Sequence, residues 1–85
     1  MHIEATDTFL RLYKKMPPDI QTRAKKSIEL LCNHPSHPSL GHKKMAGQKN
    51  IWEIRVSQNY RITYQRSGNT AILRKIGTHD LLNHP

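Results

Sequence analysis

Between residues 51 and 76 apolar and polar side chains alternate with period 2, the pattern of strands that pack one face and leave the other free. Trp52, Ile54 and Val56 fall on one side, and Glu53, Arg55 and Ser57 on the other. In the next segment Tyr60, Ile62 and Tyr64 alternate with Arg61, Thr63 and Gln65, which sets Arg61 beside Arg55 on the polar face. Three strands are expected, at about 51 to 57, 60 to 66 and 70 to 76. A tight hairpin at Gln58-Asn59 and a longer turn at Ser67-Gly68-Asn69 join them.

The first part of the chain has a different period. Phe9, Leu12, Tyr13 and Met16 recur at helical spacing behind a Thr6 or Asp7 cap, and Pro17-Pro18 stops that helix. A second helix follows, with Asp19 in its first turn and Ile20, Ala24, Ile28 and Leu31 on one side. Residues His2 to Ala5 give a weak signal for a short edge strand. The X-Pro steps at His34-Pro35 and His37-Pro38 force an extended loop before Lys43 and Lys44. The expected architecture is α+β: an N-terminal αα-hairpin packed on a small antiparallel sheet of three to four strands. The 85 residues suffice for one small domain spanning 1 to 85.

Charge adds a partner to this picture. The net charge is +8, and it is uneven: residues 1 to 40 hold six Lys/Arg against four acids, whereas residues 41 to 85 hold eight against two. A surface so basic attracts polyanions. The single cysteine, Cys32, has no internal disulfide partner and reads as a helix residue with an inert thiol. No leader pattern opens the chain and no apolar run approaches the roughly 20 residues of a membrane span. A cytoplasmic protein with no membrane partner is expected.

Chemistry is sparse. His34, His37 and His42 lie close in sequence, but two of them precede prolines and no cysteine or carboxylate accompanies them, so no metal site and no cofactor are expected. Arg55 and Arg61 on the polar face, with Glu53 sharing that face and Lys43 and Lys44 leading in, match what a ribose-phosphate backbone requires, because arginine forks bind phosphate and lysines act as point charges. On pattern alone, a surface pair of Glu53 and Arg55 on a solvated sheet face is the favoured reading. His79 follows Gly77-Thr78, where a sharp turn returns an imidazole toward the sheet as a general acid or base; a turn histidine held by Asp80 is the plainer alternative.

Taken in order, the helical hairpin broken at Met16-Pro17, His37-Pro38-Ser39-Leu40, Lys44 to Gly47, Trp52-Glu53-Ile54-Arg55-Val56, Tyr60-Arg61-Ile62-Thr63-Tyr64 and Gly77-Thr78-His79-Asp80 resemble the RelE/ParE superfamily of bacterial toxin-antitoxin toxins, above all its YafQ-like and RelE-like ribonucleases. The resemblance covers nearly the whole chain. It implies a metal-independent endoribonuclease that cleaves mRNA, usually in the ribosomal A site, and a cognate antitoxin that inhibits it.

Arg61 falls where RelE-like toxins have an active-site arginine, and His79 where the YafQ-like branch has its C-terminal histidine. Arg55 stands where that branch has a second histidine, Glu53 near one of its acids, and His42 near an upstream histidine. The implied catalytic set is His79, Arg61, Arg55 and Glu53; the implied RNA-binding set is Lys43, Lys44, His42 and Arg74. Two other classes share the features: a ParE-like toxin that inhibits gyrase and cleaves no RNA, and a nonenzymatic basic RNA-binding module. The second needs aromatic side chains on the open face, whereas Trp52, Tyr60 and Tyr64 alternate toward the packed one.

Overall fold

Thr6 starts the first helix and fastens it to the sheet. In the computed structural model, which describes residues 1–82 without the side chains of His79 and Leu82, the Thr6 hydroxyl accepts the Phe9 N–H at 3.1 Å. The same hydroxyl donates to the Leu73 carbonyl at 3.0 Å. An orphan amide of the helix start is satisfied, and the cap becomes a tertiary contact. Helix α1 (Asp7–Lys14) buries Phe9, and Pro18 opens α2 (Pro18–Asn33), which buries Ile20, Ala24, Ser27 and Leu31. The two prolines thus end one helix and begin the next.

The sheet has five strands: β1 (His2–Ala5), β2 (Lys43–Lys44), β3 (Ile51–Arg55), β4 (Arg61–Ser67) and β5 (Thr70–Gly77), in the order β1-β5-β4-β3-β2. Strand β1 runs parallel to β5 at one edge, and the other pairs are antiparallel. The α+β architecture is the expected one, with the two-residue β2 as an additional edge strand. Both helices cover the same face. Ile54, Ile62 and Ile76 follow one another across three strands and join Phe9, Ala24, Leu31, Leu40 and Leu73 in the core. Burying such side chains contributes about 1.5–3 kcal/mol each, the main stabilising term in a chain this short.

Two local departures from the expected strands matter for the site. Strand β3 ends at Arg55, because the Val56 and Ser57 amides both donate to the Tyr60 carbonyl, at 3.0 and 3.2 Å. The connection is therefore wider than a Gln58-Asn59 hairpin. In the β4–β5 ladder Thr63 opposes Lys75 and Tyr64 opposes Leu73, so Arg74 is an extra residue. Such a bulge changes the phase of every residue beyond it.

Candidate functional site

The sheet face turned away from the helices carries most of the polar chemistry. Lys43, Glu53, Thr63 and Lys75 form one register row across β2, β3, β4 and β5, and Arg55, Arg61 and Gly77 form the next. Directly opposed residues of an antiparallel pair have Cα atoms about 4.5–5.5 Å apart, so the two arginines start side by side, as the alternation predicted. Arg74 alternates with Leu73 onto this face as well, and its Nη1 reaches Gln65 Oε1 at 3.4 Å. By register, strands β2 to β5 thus carry five cationic residues, Lys43, Arg55, Arg61, Arg74 and Lys75, on the face that also carries Glu53.

That carboxylate is not solvated. Glu53 is only 7% exposed, beside a fully buried Thr63, and its Oε2 is buried without a hydrogen-bond partner among the described residues. A surface ion pair does not look like this. Buried carboxylate oxygens are normally paired, because stripping water from a charged oxygen costs several kcal/mol when nothing replaces it.

The two arginines differ in their fixing. Arg61 Nη1 donates to the carbonyls of Ser57 (2.5 Å), Gln58 (3.1 Å) and Tyr60 (2.9 Å), which clamps the β3–β4 connection around the guanidinium. Its Nε and Nη2 make no bond among the described residues, so half of the fork remains for a ligand. Arg55 is exposed and lies along the edge beside Gly41, where a Cβ would stand 3.7 Å from its Nε. Gly41 itself has φ +52°, a conformation that glycine adopts without strain and that ends the short 3-10 turn Pro38–Leu40 ahead of β2.

The remaining sequence candidates go elsewhere. His42 lies on the helix side with Trp52 and Tyr64, apart from the arginine pair. Its Nδ1–H donates to the Pro35 carbonyl at 3.0 Å, so Nε2 accepts the Tyr64 hydroxyl at 2.5 Å. Burial holds the imidazole below its ordinary pKa, partly opposed by the Pro35 bond and assisted by the Arg66 charge. Burial likewise raises the Tyr64 phenol, and Arg66 offsets part of the rise. A neutral histidine with both nitrogens engaged is a structural link, not a free base. Lys44 pairs with Trp52, so it also belongs to that side. The backbone of His79 begins a 3-10 turn (His79–Leu82) immediately beyond the Arg55–Arg61–Gly77 row, and its side chain lies outside the described ones.

Thr63 and Lys75 were missed as site residues. Thr63 was legible, since it alternates with Ile62 and Tyr64. Lys75 was not: strict period 2 would group it with Ala71 and Leu73 on the packed side, and the bulge at Arg74 turns it outward. Among the described residues no three His, Cys, Asp or Glu side chains gather as metal ligands.

A two-helix layer on one face of a five-stranded sheet, with a cationic opposite face, defines a small α+β protein of the RelE-like type. The model of the ParE-like toxin domain matches residues 18–84, and the chain belongs to that family, within the RelE/ParE toxin superfamily. A chain of the RelB-RelE antitoxin-toxin complex from Methanococcus jannaschii is 30% identical, with 95% of each chain covered and a TM-score of 0.79. YafQ from E. coli strain BL21(DE3) is 18% identical over 94% of each chain, with a TM-score of 0.76. A YoeB/ParE toxin from Agrobacterium tumefaciens is 15% identical over 93% of this chain and 99% of that one, also with a TM-score of 0.76. The last two likenesses speak to fold alone. Among curated proteins, sequence comparison finds no match.

Proposed function

We propose that this toxin is an endoribonuclease that cleaves mRNA, associated with the ribosome, and that an acidic antitoxin holds it inactive. One observation carries the reading: a buried Glu53 oxygen without a hydrogen-bond partner among the described residues, in a row with Lys43, Thr63 and Lys75 and one row from the arginine pair. The relative from Methanococcus jannaschii forms an antitoxin-toxin complex with RelB, which supports the partner.

The reaction needs three services at one phosphate. A base takes the proton of the ribose 2′-hydroxyl as its oxygen forms a bond to phosphorus. Cations hold the developing charge on the non-bridging oxygens. An acid then protonates the 5′-oxygen as its bond to phosphorus breaks, leaving a 2′,3′-cyclic phosphate and a 5′-hydroxyl. Glu53, one register row from the arginine pair, takes the first proton. The Nε and Nη2 groups of Arg61, with Arg55 beside them, stabilise the charge, and Lys43 positions the strand. His79, whose place in the proposal rests on the family resemblance and on the backbone turn after Gly77, returns the second proton.

Mapping RNA 5′ ends after brief induction tests this. Wild type should generate new ends within translated codons, and Glu53→Gln, His79→Ala and Arg61→Ala should not, although all three still bind the antitoxin. Intact mRNA together with a DNA-damage response would replace the ribonuclease by the gyrase-inhibitor reading.

A further inference from the structure

The other cations of the chain are not distributed at random. Where β3 gives way to its wide connection, α2 passes close by, and Arg23, Lys26, Arg55, Ser39, Ser57 and Gln58 line a notch of about 290 Å³ between them. Arg23 and Lys26 lie three apart, on the same side of α2 as Ser27. All three cationic heads lack a hydrogen-bond or ion-pair partner among the described residues, and no acid lines the notch. The nearest acid on α2, Glu29, lies three residues beyond Lys26 and borders the next hollow, which Lys26 also lines, outside the notch itself. The walls are held in place. Ser27, 7% exposed, donates its hydroxyl to the Arg55 carbonyl at 2.8 Å, which pins α2 against the strand at this point.

Three positive charges on one notch, with no acid among its described lining residues, raise the free energy of the empty protein relative to an anion-bound one. The lining adds hydroxyls from Ser39 and Ser57 and an amide from Gln58, which are neutral donors suited to phosphate oxygens. Arg55 makes the notch continuous with the sheet face, since it is both a wall here and the cross-strand partner of Arg61.

We infer that this notch is a second phosphate subsite, which holds the RNA backbone next to the phosphate being cleaved. The inference rests on the ribonuclease reading for the identity of its ligand. Under it, Arg23 and Lys26 bind a flanking phosphodiester, Gln58 and the serines hydrogen-bond its oxygens, and the strand then crosses Arg55 to reach Arg61 and Glu53.

The test is equilibrium binding of a fluorescent single-stranded 2′-O-methyl RNA, which lacks the attacking hydroxyl, to the antitoxin-free protein across a salt series. The double variant Arg23→Gln/Lys26→Gln is compared with Lys14→Gln/Lys25→Gln. The control pair removes the same charge from exposed positions outside the notch, with Lys25 roughly on the opposite side of α2. The notch variant should bind roughly tenfold more weakly at low salt, and its log–log salt slope should shrink by about 1, as for one or two lost single-strand phosphate contacts. The control should move much less. Gln58→Glu, on the opposite wall, should weaken binding in the same direction, which keeps the test valid if the double variant folds poorly.

Equal losses in both pairs would reduce the notch to diffuse charge, and no loss in the notch variants would remove the subsite; either overturns the inference while the cleavage reading stands. Displacement of the RNA by micromolar inorganic phosphate at constant ionic strength would mark a free-anion site and overturn it as well. A notch variant that loses antitoxin binding but keeps RNA binding would give the surface to the partner protein instead. Wild-type protein that binds no RNA would overturn both this inference and the reading it rests on.

Discussion

The two faces of the sheet are built from the same alternating strands and solve opposite problems. On the helix side, polar atoms that enter the core are matched: Tyr64 and His42 satisfy one another, Pro35 takes the second imidazole nitrogen, and Ser27 spends its hydroxyl on the Arg55 carbonyl. On the other side the matching is incomplete. Among the described residues, Glu53 Oε2 is buried without a hydrogen-bond partner, Arg61 uses only one nitrogen, and Arg55 uses none. On the proposed function, this contrast in hydrogen bonding marks the site better than residue type does, since His42 sits on the satisfied face.

The largest effect should come from the unsatisfied face. Glu53→Gln keeps the shape and removes the base, so cleavage should fall by roughly 10² to 10⁴, with the circular dichroism spectrum and antitoxin binding retained. Arg61→Ala should rank next, at roughly 10² to 10³ in rate from lost charge stabilisation. It should also lower stability by about 1–3 kcal/mol in urea titrations, because the Ser57, Gln58 and Tyr60 carbonyls lose their donor. Arg61→Lys should restore part of the stability and little of the rate, since an ammonium lacks the fork.

The satisfied face should answer in stability alone. Tyr64→Phe removes one hydrogen bond and should lower unfolding free energy by about 1 kcal/mol, with cleavage per folded molecule retained. A smaller effect follows from the His42 pKa. Folding lowers it, so the unfolded chain binds this proton more readily. The stabilisation is complete above the unfolded value near 6.5 and is lost as pH falls through and below it. Unfolding titrations between pH 7.5 and pH 5 should therefore show stability falling with acid, and His42→Gln should flatten that slope.

How far these differences were legible in the sequence depends on how local their causes are. Period 2 at Trp52 to Gln65 is a property of the backbone, and it correctly set Arg55 against Arg61 and put Trp52 and Tyr64 on the packed side. Thr6 was legible as a helix cap, but its bond to Leu73 was not, because the partner lies 67 residues away. Strand β2 escaped notice since two lysines carry no alternation, only a register with Glu53 and Trp52. The bulge at Arg74 concealed Lys75, and the burial of Glu53 was invisible because alternation gives a side and not a depth. His42 is the instructive case. The resemblance matches it to an upstream histidine of the YafQ-like branch, whereas its bonds to the Tyr64 hydroxyl and the Pro35 carbonyl are set by tertiary contacts that no local pattern carries.

The central claim is that the unsatisfied face does the chemistry. Its most direct measurement is single-turnover cleavage of one mRNA by purified Glu53→Gln and His42→Gln proteins, each normalised to its folded fraction. The account predicts that Glu53→Gln loses cleavage by at least about a hundredfold while His42→Gln keeps it. Full activity in Glu53→Gln with loss in His42→Gln would contradict it and move the chemistry to the helix side of the sheet.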